Sequence, residues 1–194
     1  RKAGYRFVAD FRWNDSGIQK ILTLMVPSLI AASAVQINVL VNSRFASYAG
    51  AEAVTWLNSA FRLMQLPIGV FGVAVATITL PVISRIAADT DTSRFGPTLG
   101  RAMRLAVFLT LPSAVGLWFM AGPVIGLVYQ HGNFTNHDTL QTALALQYYA
   151  IGLVAYSCIK VLSPAFYAIN RKWTPMLVSF GSVALNIALN NYFM

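Results

Sequence analysis

The sequence predicts an all-α fold, a polytopic transmembrane helix bundle with about five spans. Of the 194 residues, 57% are hydrophobic and only 10% are charged, whereas a soluble domain carries roughly 25% charged residues. Stretches without Asp, Glu, Lys or Arg recur along the chain, at 21–43, 63–84, 105–137 and 173–194, and a fifth stretch, 139–170, is interrupted only by Lys160. About 20 apolar residues are enough to cross a bilayer, and a soluble helix would need a charged face that these stretches lack.

The elements follow from these stretches in chain order. Residues 1–20 are polar and basic with interspersed aromatic side chains, which predicts a cytoplasmic linker or an interfacial amphipathic segment. The membrane spans are expected at approximately 21–44, 53–84, 105–127, 139–169 and 175–194.

The basic residues predict the orientation of the bundle. Of the fourteen Lys and Arg residues, eleven fall in three segments: 1–20, 85–104 and 171–172. The intervening connections at 45–52 and 129–138 contain no Lys or Arg. The positive-inside rule therefore places the basic segments in the cytoplasm. The net charge of +8 is thereby explained by topology and by contact with anionic membrane lipids, and we expect no nucleic-acid partner.

Polar stripes at helical spacing run along four of the five predicted spans. The second span has Thr55, Asn58, Arg62, Gln65, Gly69, Gly72, Ala76 and Thr79 on one side and large apolar side chains on the other. The remaining stripes are Gln36, Asn38 and Asn42 in the first span, Tyr149, Gly152, Tyr156, Lys160, Ser163 and Tyr167 in the fourth, and Ser179, Ser182, Asn186 and Asn190 in the fifth. Such stripes line a common cavity or form interhelical hydrogen bonds.

The remaining three cations are Arg44, Arg62 and Lys160. Arg44 lies at the outer end of the first span, where it can snorkel to the interface, whereas Arg62 and Lys160 lie within spans. A charge deep in a span costs at least ~2.5 kcal/mol, so it usually faces a partner or water. The predicted spans contain no carboxylate, since Glu52 and Asp138 lie at the boundaries. Guanidinium and ammonium groups bind phosphate oxygens well. We therefore expect Arg62, with Asn58, Gln65 and Lys160, to bind an anionic substrate, although snorkelling or bonding to carbonyls is an alternative for Lys160.

The sequence offers no catalytic constellation, so we expect a protein that is not an enzyme and needs no cofactor. It contains no nucleophile–base–acid set, phosphate-binding loop or CxxC motif. His131, His137 and Asp138 match no standard metal-site spacing, and we predict no metal.

Three ordered motifs resemble the MurJ (MviN) family of bacterial lipid II flippases. The first covers 61–74 (FRLMQLPIGVFGVA) with Leu80-Pro81 and Ser84-Arg85 following. The others are 128–135 (VYQHGNFT) and 160–168 (KVLSPAFYA). The resemblance extends over most of the chain from about Lys20 onward.

This resemblance implies a transporter of the multidrug/oligosaccharidyl-lipid/polysaccharide exporter superfamily, which has two six-helix halves and alternates access across the bacterial inner membrane. It implies that lipid II, the undecaprenyl-pyrophosphate-linked precursor of peptidoglycan, is the substrate, with Arg62 at a cavity arginine of the family and Lys160 at a basic position of its motif. The five spans look like the start of the C-terminal half. We therefore expect the N-terminal half to lie outside this chain, and the chain alone not to transport.

The chain departs from the family pattern at positions where relatives carry acidic residues. Sodium binding is proposed for relatives there, whereas this chain has Asn42, Asn186 and Asn190. Hard cations favour carboxylate oxygens, so a sodium site is not expected. Two other functions stay open: an exporter of another lipid-linked glycan or solute, and a membrane scaffold that does not transport.

Overall fold

The structure, a computed structural model, describes residues 16–48, 50–89, 93–169, 171 and 173–193. The predicted all-α fold class is confirmed over these residues. The helices are α1 (Ser16–Tyr48), α2 (Ala51–Pro67), α3 (Ala74–Ala88), α4 (Phe95–Tyr129), α5 (Asn136–Ala168) and α6 (Trp173–Phe193), with a π-helical segment (Ile68–Val73) joining α2 to α3. Most of the predicted linker, residues 1–15, lies outside the described residues.

Three stretches of the described chain are long and apolar enough to cross a membrane by length and composition. They are Glu52–Ala88, Phe95–Tyr129 and Asn136–Ala168, which cover the predicted second, third and fourth spans. Helices α1 and α6 cover the predicted first and fifth spans, and their crossing of the membrane stays a prediction. Helix α4 begins ten residues before the predicted span, so Arg101 and Arg104 belong to a helix and not to a loop.

Helix α5 is the centre of the packing. It forms the most extensive contact with α4 and also packs against α2, the π-helical segment and α3, while α1 lies against α6 and α2. One buried cluster joins α2, α4 and α5 through small and branched side chains, among them Ala60, Ile125 and Leu146. A second cluster joins α3, α4 and α5 around Val75, Ala106 and Val161. The alanines in both clusters allow the helix backbones to approach closely.

The outward surfaces of these helices are apolar. Phe108 is 72% exposed, Phe119 is 79% exposed and Leu127 is 81% exposed. Exposed apolar surface of this extent is typical of contact with lipid or with other protein. The exposed apolar side chains, like the composition, therefore favour a membrane environment.

The π-helical segment begins directly after Pro67. Proline has no backbone N–H to donate to the carbonyl one turn earlier, and wide π turns relieve such interruptions within long helices. The sequence predicts a kink here, and the structure accommodates Pro67 through six residues of π-helix.

Gly72 of the π-helical segment lies against Ser157 of α5. A Cβ atom built on Gly72 would lie 3.3 Å from Ser157 Oγ and 3.5 Å from Ser157 Cα. The Ser157 hydroxyl is fully buried and has no hydrogen-bond partner among the described residues. At this crossing, therefore, glycine provides the space for α5.

Asp138 in the first turn of α5 connects this helix to Trp56 near the start of α2. Its carboxylate accepts hydrogen bonds from Thr135 N (2.7 Å) and Thr135 Oγ1 (2.7 Å). Trp56 Nε1 of α2 donates a third, of 2.8 Å, and the Asp138 N–H is capped in return by Thr135 Oγ1. A capping box satisfies the free N–H groups at a helix start, so Asp138 has a structural use here.

Asp138→Ala is expected to lower the thermal unfolding temperature of the intact protein more than Trp56→Phe does. The alanine removes three accepted hydrogen bonds and one half of the capping box, whereas the phenylalanine removes one hydrogen bond and keeps most of the ring. Thermal unfolding of the two variants in detergent measures the difference. Equal unfolding temperatures would contradict the assigned role of the cap.

Candidate functional site

A cavity of about 620 Å³ opens between α1, α2 and α5. Polar side chains from three of the four predicted stripes line it. They are Gln36, Asn38, Asn42 and Ser43 from α1, Asn58 and Gln65 from α2, and Tyr149, Tyr156 and Lys160 from α5. The polar stripes of these helices therefore share one cavity.

Helix α2 presents its two sides differently, in part as its sequence pattern predicts. Asn58 and Gln65 of the polar side are exposed and line the cavity, and Met64 of the apolar side is buried in the core against α4 and α5. Leu57 and Phe61 of the predicted apolar side also line the cavity. The cavity therefore lies over the border between the two sides of α2.

Lys160 rests on an aromatic ring of its own helix. Its Nζ lies 5.5 Å from the centre of the Tyr156 ring, which is within the range of a cation–π contact. Phe61 of α2 makes edge-to-face contacts with Tyr156 at 6.5 Å and with Tyr149 at 6.0 Å between ring centres. Among the described residues Lys160 has no carboxylate partner, so its ammonium group stays available to an anionic ligand.

Arg62 lies on the exposed polar side of α2, between Asn58 and Gln65, but it is not among the residues that line the cavity. Within the described part of the chain, no hydrogen bond or ion pair involves its guanidinium group. Of the four predicted site residues, the structure brings Asn58, Gln65 and Lys160 to the cavity and leaves Arg62 beside it. Substrate binding by all four stays a prediction.

The asparagines at the proposed sodium positions of relatives bond to one another in this chain. Asn190 Nδ2 donates to Asn186 Oδ1 (3.0 Å) and to Asn42 Oδ1 (3.4 Å), and Asn42 Nδ2 donates to Asn38 Oδ1 (3.3 Å). Each of these amide oxygens therefore accepts one N–H bond from a neighbouring asparagine. The set connects α6 to α1, and the absence of a sodium site stays a prediction.

Some residues of the cavity were not predicted as site residues. Gln36, Asn38 and Asn42 are visible in the sequence only as a polar stripe, and nothing in the pattern decides between a cavity and a helix contact. Phe61 belongs to the apolar side of α2, and its place beside two tyrosines depends on the angle at which α2 crosses α5. Within the described residues, no group of three His, Cys, Asp or Glu could hold a metal ion.

These features define a polytopic, all-α membrane protein with a polar cavity between its helices. The family model described as "Lipid II flippase MurJ" matches residues 1–194, and the chain belongs to this family. It is 36% identical over 192 residues to a probable lipid II flippase MurJ of Vibrio cholerae, covering 99% of this chain and 37% of that protein. It is 38% identical over 176 residues to the lipid II flippase MurJ of Burkholderia cenocepacia, covering 91% of this chain and 34% of that protein.

A solved structure agrees with this assignment. The chain resembles "Lipid II flippase MurJ, inward closed conformation" with a TM-score of 0.77 and 30% identity, over 97% of this chain and 39% of that one. The chain therefore spans little more than a third of the length of these relatives.

Proposed function

We propose that this chain is part of a lipid II flippase of the bacterial inner membrane. In this proposal the intact protein moves the undecaprenyl-pyrophosphate-linked precursor of peptidoglycan from the inner to the outer leaflet by alternating access. Residues 1–20 are cytoplasmic, and the cavity is completed by the N-terminal half. The observation that carries the proposal is the polar cavity of a member of the family, with a cation at its wall and no carboxylate beside that cation.

Two cations are assigned to the pyrophosphate in this proposal. Lys160 lines the cavity, and Arg62 lies on the adjoining exposed side of α2. Neither has an anionic partner among the residues that the structure describes. A charged group within a membrane needs such a partner or water, and the phosphate oxygens of the substrate supply it.

Growth of a strain depleted of its own lipid II flippase tests the proposal. We expect the intact protein to restore growth, and Arg62→Ala to abolish the restoration without changing its amount in the membrane. Arg44→Ala is the matched control because Arg44 is also exposed and outside the cavity lining, but lies near the C-terminal end of α1 and not on the polar side of α2 that carries Asn58 and Gln65. Failure of the correctly inserted wild-type protein would contradict lipid II transport and favour another lipid-linked glycan or solute.

Labelling of single cysteines separates a transporter from a scaffold that does not transport. In an intact protein without Cys158 or other cysteines, a water-soluble thiol reagent is expected to label Arg62→Cys and to spare Leu63→Cys. Arg62 is exposed, whereas Leu63 is 7% exposed within the core. Protection of both positions would favour a scaffold in which the polar stripes serve only for helix packing.

A further inference from the structure

The polar groups in the cavity wall are mainly neutral. Its described walls contain five carboxamides, Gln36, Asn38, Asn42, Asn58 and Gln65. The same walls contain one cation, Lys160, and no carboxylate. A site built only for a pyrophosphate would be dominated by cations and N–H donors, because phosphate oxygens are acceptors. The cavity is thus suited to a ligand with a large neutral polar part.

Three of these carboxamides have no partner among the residues that the structure describes. Asn38 and Asn42 bond to each other, whereas Gln36, Asn58 and Gln65 make no hydrogen bond to any described residue. A carboxamide offers two N–H donors and one acceptor oxygen. Sugar hydroxyls and peptide amides can both donate hydrogen bonds to the carboxamide oxygen and accept them from its N–H groups, whereas an ionised phosphate group can only accept them.

The positions of the free carboxamides also favour an extended ligand. Asn58 and Gln65 lie on the same side of α2, seven residues or about 10 Å apart along the helix axis. Phe61, between them in the sequence, contacts Tyr156, and Tyr156 lies under the Lys160 ammonium. The neutral groups of α2 are therefore connected through an aromatic pair to the cation on α5.

We propose that Asn58 and Gln65, together with Gln36, form a subsite for the saccharide and peptide part of the ligand, while Lys160 binds the anionic part. This subsite rests on the proposed function and extends it. The three carboxamides are the groups by which the protein distinguishes lipid II from its lipid carrier. Undecaprenyl pyrophosphate contains the same anion and the same tail without sugars or peptide. The subsite therefore gives lipid II extra affinity that the carrier does not obtain.

Binding of two probes to the purified full-length protein tests the subsite. The probes are lipid II and undecaprenyl pyrophosphate, and the variants are Asn58→Ala/Gln65→Ala, Lys160→Gln and the control Gln141→Ala. Gln141 is a carboxamide of α5 outside the cavity. One neutral hydrogen-bonding side chain changes affinity by about 2- to 10-fold. The double variant is thus expected to weaken lipid II binding by roughly 4- to 100-fold and to leave the binding of undecaprenyl pyrophosphate unchanged.

The outcomes separate failure of the subsite from failure of the proposed function. Lys160→Gln is expected to weaken both probes, and Gln141→Ala to change neither. Equal weakening of both probes by the double variant, or weakening of neither, would overturn the subsite while leaving lipid II binding intact. If the wild-type protein binds no lipid II, the proposed function fails and the subsite fails with it. If Lys160→Gln changes neither probe, the assignment of Lys160 to the anionic part of the ligand is overturned.

Discussion

Replacing Gly72 with leucine is expected to destabilise the intact protein by about 1–3 kcal/mol, the usual cost of forcing extra atoms into a packed core. The position is buried, and even a Cβ atom there would meet Ser157 at 3.3 Å. The Ser157 backbone lies almost as close, so rotation of one side chain cannot make room for a leucine. Thermal unfolding in detergent measures the loss.

Gly69 provides the matched control in the same π-helical segment. It is exposed, and nothing lies within 4 Å of a Cβ atom built on it. Gly69→Leu is therefore expected to preserve stability, since leucine in a helix is favoured over glycine by up to ~1 kcal/mol. Because Gly69 lines the cavity, the same change is expected to impair transport. Similar unfolding temperatures for the two leucine variants would contradict the close approach at Gly72.

The Ser157 hydroxyl offers an independent test of this contact. Burial of a hydroxyl without a partner costs roughly 1–3 kcal/mol, so Ser157→Ala is expected to be neutral or stabilising. It also removes the atom that a Cβ on Gly72 would meet first. In a double-mutant cycle, Gly72→Ala should cost less in the Ser157→Ala background than alone. Strict additivity would show that these side chains do not touch.

Replacing Lys160 with glutamine is expected to produce the largest loss of transport among the residues that line the cavity. It removes the one cation of the described walls and keeps a chain of similar length that can still donate hydrogen bonds. A charge-assisted hydrogen bond contributes about 1.5–3 kcal/mol, which corresponds to roughly 10- to 100-fold in affinity. Lipid II translocation by the intact protein measures the loss.

Lys160→Arg and the unfolding temperature distinguish a binding role from a structural one. The arginine retains the charge and can still lie on the Tyr156 ring, so it is expected to recover a substantial part of the transport. Lys160 is exposed to the cavity, and Lys160→Gln should leave the unfolding temperature unchanged. A large fall in that temperature would instead indicate that Lys160 stabilises the helices, as snorkelling or bonding to carbonyls would.

Much of the fold could be predicted because membrane helices have simple requirements. Every backbone polar group must be satisfied within the bilayer, so long uncharged stretches predict helices. Residues 105–129 of α4, and residues 139–159 of α5 before Lys160, are uncharged and helical. The ends of the helices were harder to predict, because a helix can continue beyond the hydrocarbon core into the membrane–water interface. Arg101 and Arg104 lie within α4 although their charges resemble those of a loop.

The cavity was predictable in part. Helical spacing alone placed Asn58 and Gln65 on one side of α2 and Tyr156 and Lys160 on one side of α5. The same spacing places Arg62 on the side of α2 that carries Asn58. Because spacing carries no information about the angles at which helices cross, it could not show that Arg62 lies beside the cavity lining and not within it. The spacing also does not show which asparagines form hydrogen bonds within the protein. Asn190 donates such a bond to Asn42 in the contact between α6 and α1.

Translocation of lipid II by the intact protein in proteoliposomes tests the central claim most directly. A fluorescent lipid II and a quencher that cannot cross the membrane report the fraction of substrate that changes leaflet. We predict rapid exchange with the wild-type protein, strong loss with Lys160→Gln and normal exchange with Gln141→Ala. No exchange of lipid II by the wild-type protein, or exchange that Lys160→Gln leaves intact, would contradict a flippase whose cavity binds the anionic part of lipid II through Lys160.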